Sequence, residues 1–151
     1  MDPLTAIRAV GRLSQVRADV KLVFLGTRPP GSETAPPQNL SDEARRLAAS
    51  LGLLDSGAVV FREGWTPFSE RGRLLQASHA ALCTAPDTAE NHFSYRTRLV
   101  DALWAGIPSV CTAGGWMAEF LERTGAGVMV PPHNEQALAQ VLEAVLEPEA
   151  Q

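Results

Sequence analysis

The stretch AALCTAPDTAENHFSYRTRLVDALWAGIPSVCT, residues 80–112, decides how the rest of the chain is read. It opens with a short apolar run (80–84) and passes through a polar loop (85–93). An amphipathic run follows (94–105), stopped by Gly106 and Pro108, and it closes on a second β-branched and apolar run (109–112). Gly ends a helix and Pro cannot continue one, so the reading is strand, loop, helix, strand. Two such strands joined through a helix run parallel.

The same alternation extends in both directions. Toward the N-terminus, Asp2 caps a helix whose first residue is Pro3, with Leu4, Ile7, Val10 and Leu13 at near-helical spacing. KLVFLG (21–26) reads as a buried strand, and the four prolines and one glycine of residues 27–39 make a loop. SDEARRLAASLGLL reads as a helix capped by Ser41 or Asn39 and ending near Gly52. AVVF (58–61) is a strand and 67–78 a short amphipathic helix. Toward the C-terminus come a helix over 116–124, a strand over 128–130 and a closing helix over 134–146. Strands that are apolar throughout are those covered on both faces. The expected fold is therefore α/β: an open, Rossmann-like parallel sheet of about five strands with helices on both sides.

Composition narrows the function. The chain has 151 residues, 45% hydrophobic and 20% charged, with a net charge of −4. One domain with a real core is expected, and broad attraction to nucleic acid is not. Cys83 and Cys111 lie in apolar runs and read as buried free thiols, with a disulfide as the lesser alternative. The three histidines are far apart, and no zinc spacing, Walker loop or Gly-x-Gly-x-x-Gly appears. No metal and no cofactor is expected. Neither a secretory signal nor a run of about 18 apolar residues is present, so the expected location is cytoplasmic.

Ligands of open parallel sheets bind beyond the carboxyl ends of the strands. The loops that matter begin at Gly26, Arg62, Ala85 and Ala113. With Ser94 as N-cap, the N–H groups of Tyr95, Arg96 and Thr97 are free and the helix dipole points at them. That makes a phosphate seat, which Arg96 and Arg98 reinforce. Ser94, Thr97, Arg98 and Asp101 share one helical face, where Asp101 is placed to accept from ribose hydroxyls. A surface ion pair between Arg98 and Asp101 is the ordinary alternative. Gly26, Thr27 and Arg28 either approach an anion or form a plain strand exit. Trp65 either walls a base or covers a helix end. The Gly114–Gly115 pair either admits a ligand or turns the chain, and Trp104 reads as core.

Residues 90–146 resemble the C-terminal, nucleotide-sugar-binding domain of retaining GT-B glycosyltransferases, the group 1, family 4-like set. The likeness rests on Asp101, Ala102, Gly106, Pro108, Val110, Glu119, Gly125, Gly127, Val130, Pro131 and Pro132 at their spacings, and on KLVFLGTRPP and VVFREGWTP as earlier strand–loop units. It implies the C-terminal half of a GT-B fold, transferring a hexose from a nucleoside-diphosphate sugar to an acceptor with retention. It also implies that Asp101 holds the ribose and that Gly64 and Trp65 face the base. The family's two acids stand eight positions apart; here Phe93 occupies the first position and Glu90, eleven residues before Asp101, is the nearest acid for the catalytic role near the sugar.

Whole members carry an N-terminal acceptor-binding domain and a central strand before the helix that starts at Asp2. The resemblance thus implies a donor-binding domain spanning 1–151, inactive alone. The acceptor, lipid-linked or at a membrane surface among the options, would be held by the other half. Either strands 21–26 and 80–84 close the gap left by the central strand, or another chain or segment fills it, with self-association through strand edges one such route. The competing readings are a non-catalytic Rossmann-like nucleotide-binding or protein-interaction module and, more remotely, a nucleotide-sugar epimerase.

Overall fold

A computed structural model describes residues 1–26 and 39–147. Thr27 and Arg28, the rest of the proline-rich loop and the tail after Glu147 lie outside the described residues. Helices and strands alternate as α1 (Pro3–Leu13), β1 (Leu22–Phe24), α2 (Asn39–Ser50), β2 (Val59–Phe61), α3 (Phe68–Gln76) and β3 (Ala81–Cys83). They continue as α4 (Ala89–Phe93), α5 (Thr97–Ala105), β4 (Ser109–Thr112), α6 (Trp116–Thr124), β5 (Gly127–Val130) and α7 (Glu135–Leu146). All strand pairs are parallel, and helices flank the sheets, as the alternation requires.

Local signals account for most boundaries. Asp2 caps α1 by accepting from Thr5 N–H at 3.1 Å, with Pro3 in the first turn. Asn134 caps α7 by accepting from Ala137 N–H at 2.9 Å. Gly106 and Gly125 close α5 and α6. Helix α2 already includes both Asn39 and Ser41, so neither residue is its N-cap as expected.

The five strands do not form one ladder. β1 pairs only with β2, and β3–β4–β5 form a separate sheet. Of the two expected outcomes, direct closure of strands 21–26 and 80–84 on each other does not occur: β1 and β3 are not paired with each other. The sheets are joined by a shared core instead. Ile7, Val10 and Leu13 of α1, Ala44 and Ala48 of α2 and Leu138 of α7 are buried with Val59, Val110 and Val130, and Leu22, Phe24 and Leu82 pack on them. On the opposite face of the larger sheet, Leu99, Met117 and Leu121 cover Cys83 and Cys111, both free thiols.

Two-sided burial holds for β4, buried at every position, and fails for β1, where Val23 is 44% exposed. Helix α3 packs on α5 and buries no residue of its own.

Candidate functional site

The segment between β3 and β4 folds differently from expectation. Residues 85–93, read as loop, contain α4: Thr88 caps it, accepting from Asn91 N–H at 3.3 Å, and Glu90 stands in its first turn. Ser94, expected to open a helix over 94–105, closes α4 by donating its N–H to Glu90 O at 2.8 Å. The next helix starts at Thr97 with Arg96 at its N-cap position. Thr88 thus opens a helix of its own, and α5 starts without a side-chain cap. Tyr95 and Arg96 N–H therefore lie outside the helix. Thr97 and Arg98 open α5, and their amides have no acceptor within it.

Arg96 stitches the backbone together. Its Nη1 donates to Thr112 O at 3.3 Å and its Nη2 to Asn91 O at 3.4 Å, joining α4 to the end of β4. Asn91 is 4% exposed and donates Nδ2 to Ala113 O at 3.2 Å, while its Oδ1 has no partner among the described residues. Gly114 and Gly115 have φ of +110° and +80°. A Cβ on Gly115 would stand 2.8 Å from His92 O, so the close approach that this glycine pair permits is to α4.

Asp101 is not paired with Arg98. Arg71 of α3 donates Nη1 to its Oδ2 at 3.2 Å, and both side chains are about 30% exposed. The Arg71 guanidinium also lies 5.9 Å from the ring centre of Trp65 and 5.7 Å from that of Phe68, within cation–π range. It thereby ties the loop after β2, with Gly64 and Trp65, to the middle of α5. Phe68 stacks on Trp104 at 6.0 Å between ring centres. Trp104, read as core, is 63% exposed because its ring lies against α3 rather than under the sheet. Arg98 is exposed at the start of α5 and makes no ion pair or hydrogen bond among the described residues. The site is thus a row: an open guanidinium at the helix start, a carboxylate one turn along, and a second guanidinium beside an exposed indole.

The other candidates fall around this row. Gly26, with φ of +63°, ends the β1 segment, and Arg62 N–H donates to Phe24 O at 2.9 Å, which sets the exits of β1 and β2 side by side. Glu90 is exposed on α4. Tyr95 stacks on Trp116, and Trp116 on Phe120, each at 5.7 Å. Burial pushes the Cys111 thiol up to about 11, so it stays protonated at neutral pH and is no nucleophile. No group of three metal-ligating side chains occurs among the described residues, and no described helix is long and apolar enough to cross a membrane. Sequence reasoning missed Arg71. It lies 30 residues from Asp101 within an unremarkable polar run, and no local pattern marks it.

The sequence matches the family model described as Glycosyl transferases group 1 over residues 4–148, nearly the whole chain. Comparison with curated proteins gives no match, and comparison with solved structures gives none.

Proposed function

The chain belongs to the group 1 glycosyl transferases, and on that premise we propose that it is the donor-binding, C-terminal domain of a retaining GT-B enzyme. The observation that carries this reading is the open Arg98 guanidinium at the start of α5 with Asp101 one turn along the same helix. The donor diphosphate lies against the Thr97 and Arg98 amides and the Arg98 side chain, where the helix dipole adds to the charge. The free Oδ1 of Asp101 accepts from a ribose hydroxyl, and the base lies toward Gly64 and Trp65. Ser94 and Tyr95 border the diphosphate. Arg96, committed to two carbonyls, holds the floor of the seat and lends it charge. Gly26 stands at the exit of β1, and Glu90 stands near the sugar.

In the reaction, the bond from the anomeric carbon to the diphosphate oxygen breaks, and the diphosphate leaves with the electron pair. The acceptor hydroxyl oxygen bonds to the same face of the carbon and gives up its proton to the departing diphosphate oxygen. Negative charge grows on the departing phosphate as this happens. Fixed amides and a guanidinium stabilise it without reorganising. The acceptor is held by a second, N-terminal domain. A further parallel strand joins β1 to β3, which the edges of those strands, unpaired in a ladder among the described residues, support. Asp2 N–H donates to Thr84 O at 2.9 Å, so α1 begins at the carboxyl end of β3, where a helix following such a strand would start.

Calorimetric titration of the chain with uridine, guanosine and adenosine diphosphates tests the reading. At least one binds, and Arg98→Ala weakens it about tenfold or more, as expected for losing a charge-assisted contact. If no nucleoside diphosphate bound, or if Arg98→Ala bound as well as the parent, the donor site would be wrong. The vacant strand edges would then favour the protein-interaction module.

A further inference from the structure

Resting on the donor reading above, we propose that Arg71 selects the nucleobase and that it favours guanine. A guanidinium carries five N–H donors in a planar fork and no acceptor. Arg71 spends one on Asp101 Oδ2 at 3.2 Å. Its remaining contacts are the faces of Trp65 and Phe68, at 5.9 and 5.7 Å, which attract the charge and leave the other N–H groups without acceptors among the described residues.

Those contacts also orient the fork. Asp101 holds one end and two ring faces limit its swing, so little side-chain freedom remains to be lost when a ligand binds. The location suits a base. Asp101 marks the ribose, Arg71 is bonded to it, and Trp65, 56% exposed, offers a ring on which a purine can stack.

The chemistry then discriminates. Guanine presents two adjacent acceptors, N7 and O6, which match two parallel N–H groups of an arginine. Adenine presents N7 beside an amino group, so one N–H would face another donor. Pyrimidines lack the paired acceptors and stack over less area.

The test is the ratio of affinities for guanosine and adenosine diphosphates, measured by calorimetry on the chain and on Arg71→Lys and Arg71→Met. The parent prefers guanosine diphosphate by about tenfold or more. Arg71→Lys keeps a positive charge for Asp101 and loses the fork, so the ratio falls to within about twofold while adenosine diphosphate binds within about threefold of the parent. Arg71→Met removes both, and the ratio stays flat at lower affinity for each. Circular dichroism reports whether either variant is folded, and the parent ratio stands whatever it shows. A parent ratio near one, or a preference that survives in both variants, overturns the assignment of Arg71 and leaves the donor site standing. Binding of uridine diphosphate alone likewise overturns only the assignment of Arg71, whereas absence of binding by all three nucleoside diphosphates overturns both.

Discussion

At the scale of single residues, Asp2 has the most work assigned to it. Its Oδ1 accepts from Thr5 N–H at 3.1 Å, and its Oδ2 accepts from the Thr5 hydroxyl at 2.7 Å and faces His133 Nδ1 at 3.0 Å. Burial alone would raise this carboxyl. The Thr5 hydrogen bonds and the His133 ring overcome that and hold it below the ordinary aspartate value. A depressed pKa means stability that is full above the unfolded value, about 4, and is lost as pH falls through the folded one. Asp2→Ala is expected to cost about 1 kcal/mol at pH 7, and the difference from the parent should vanish at low pH. Urea titrations at pH 7 and below pH 4 measure it, and a cost independent of pH would refute the ionised cap. This cap was legible in the sequence because an aspartate before a proline is a local signal. The His133 contact was not, since it joins residues 131 positions apart in the chain.

At the scale of elements, the seating of α3 on α5 decides whether Arg71 reaches Asp101. Gly72 makes this possible: a Cβ there would come within 2.9 Å of Trp104 Cη2 and Cζ3. Alanine in a helix is favoured over glycine by about 1 kcal/mol, which offsets the cost of displacing an exposed ring. Gly72→Ala is therefore expected to change global stability by less than about 0.5 kcal/mol while moving the Trp104 ring off Phe68. Tryptophan emission reads the ring in a background where Trp65 and Trp116 are replaced by phenylalanine, with a red shift expected; unchanged emission would show that the two helices are not held by this contact. The same scale shows where boundary reading failed. Thr88 and Ser94 are both sound cap residues, and choosing Ser94 merged the end of one helix with the start of another. The choice depends on Asn91 and Arg96 reaching across to the end of β4, which no spacing reveals.

At the scale of the whole molecule, five parallel strands divide into ladders of unequal strength. In the larger sheet, β4 is central and buried at every position. The smaller sheet has two strands of three residues, with Val23 exposed. Two-strand ladders are marginal without a covering layer, and regions with few buried contacts open locally. Amide hydrogen exchange should accordingly find β4 protected to the level of global unfolding and β1 and β2 exchanging at least about tenfold faster, or roughly 1.4 kcal/mol less stable. Equal protection in both ladders would mean that the shared core under α1, α2 and α7 makes them one cooperative unit.

The sequence by itself determined the alternation of strand and helix, the parallel sense of the strands, the cap at Asp2, and the burial of both cysteines. Each follows from periodicity, apolar runs or capping chemistry that acts over a few neighbouring residues. Only the tertiary structure decided that the sheet divides, that α3 lies on α5, that Arg96 serves the backbone and that Arg71 partners Asp101. Those outcomes turn on which surfaces meet after the helices have formed, and side chains tens of residues apart leave no common periodic mark for a reader of the chain to find.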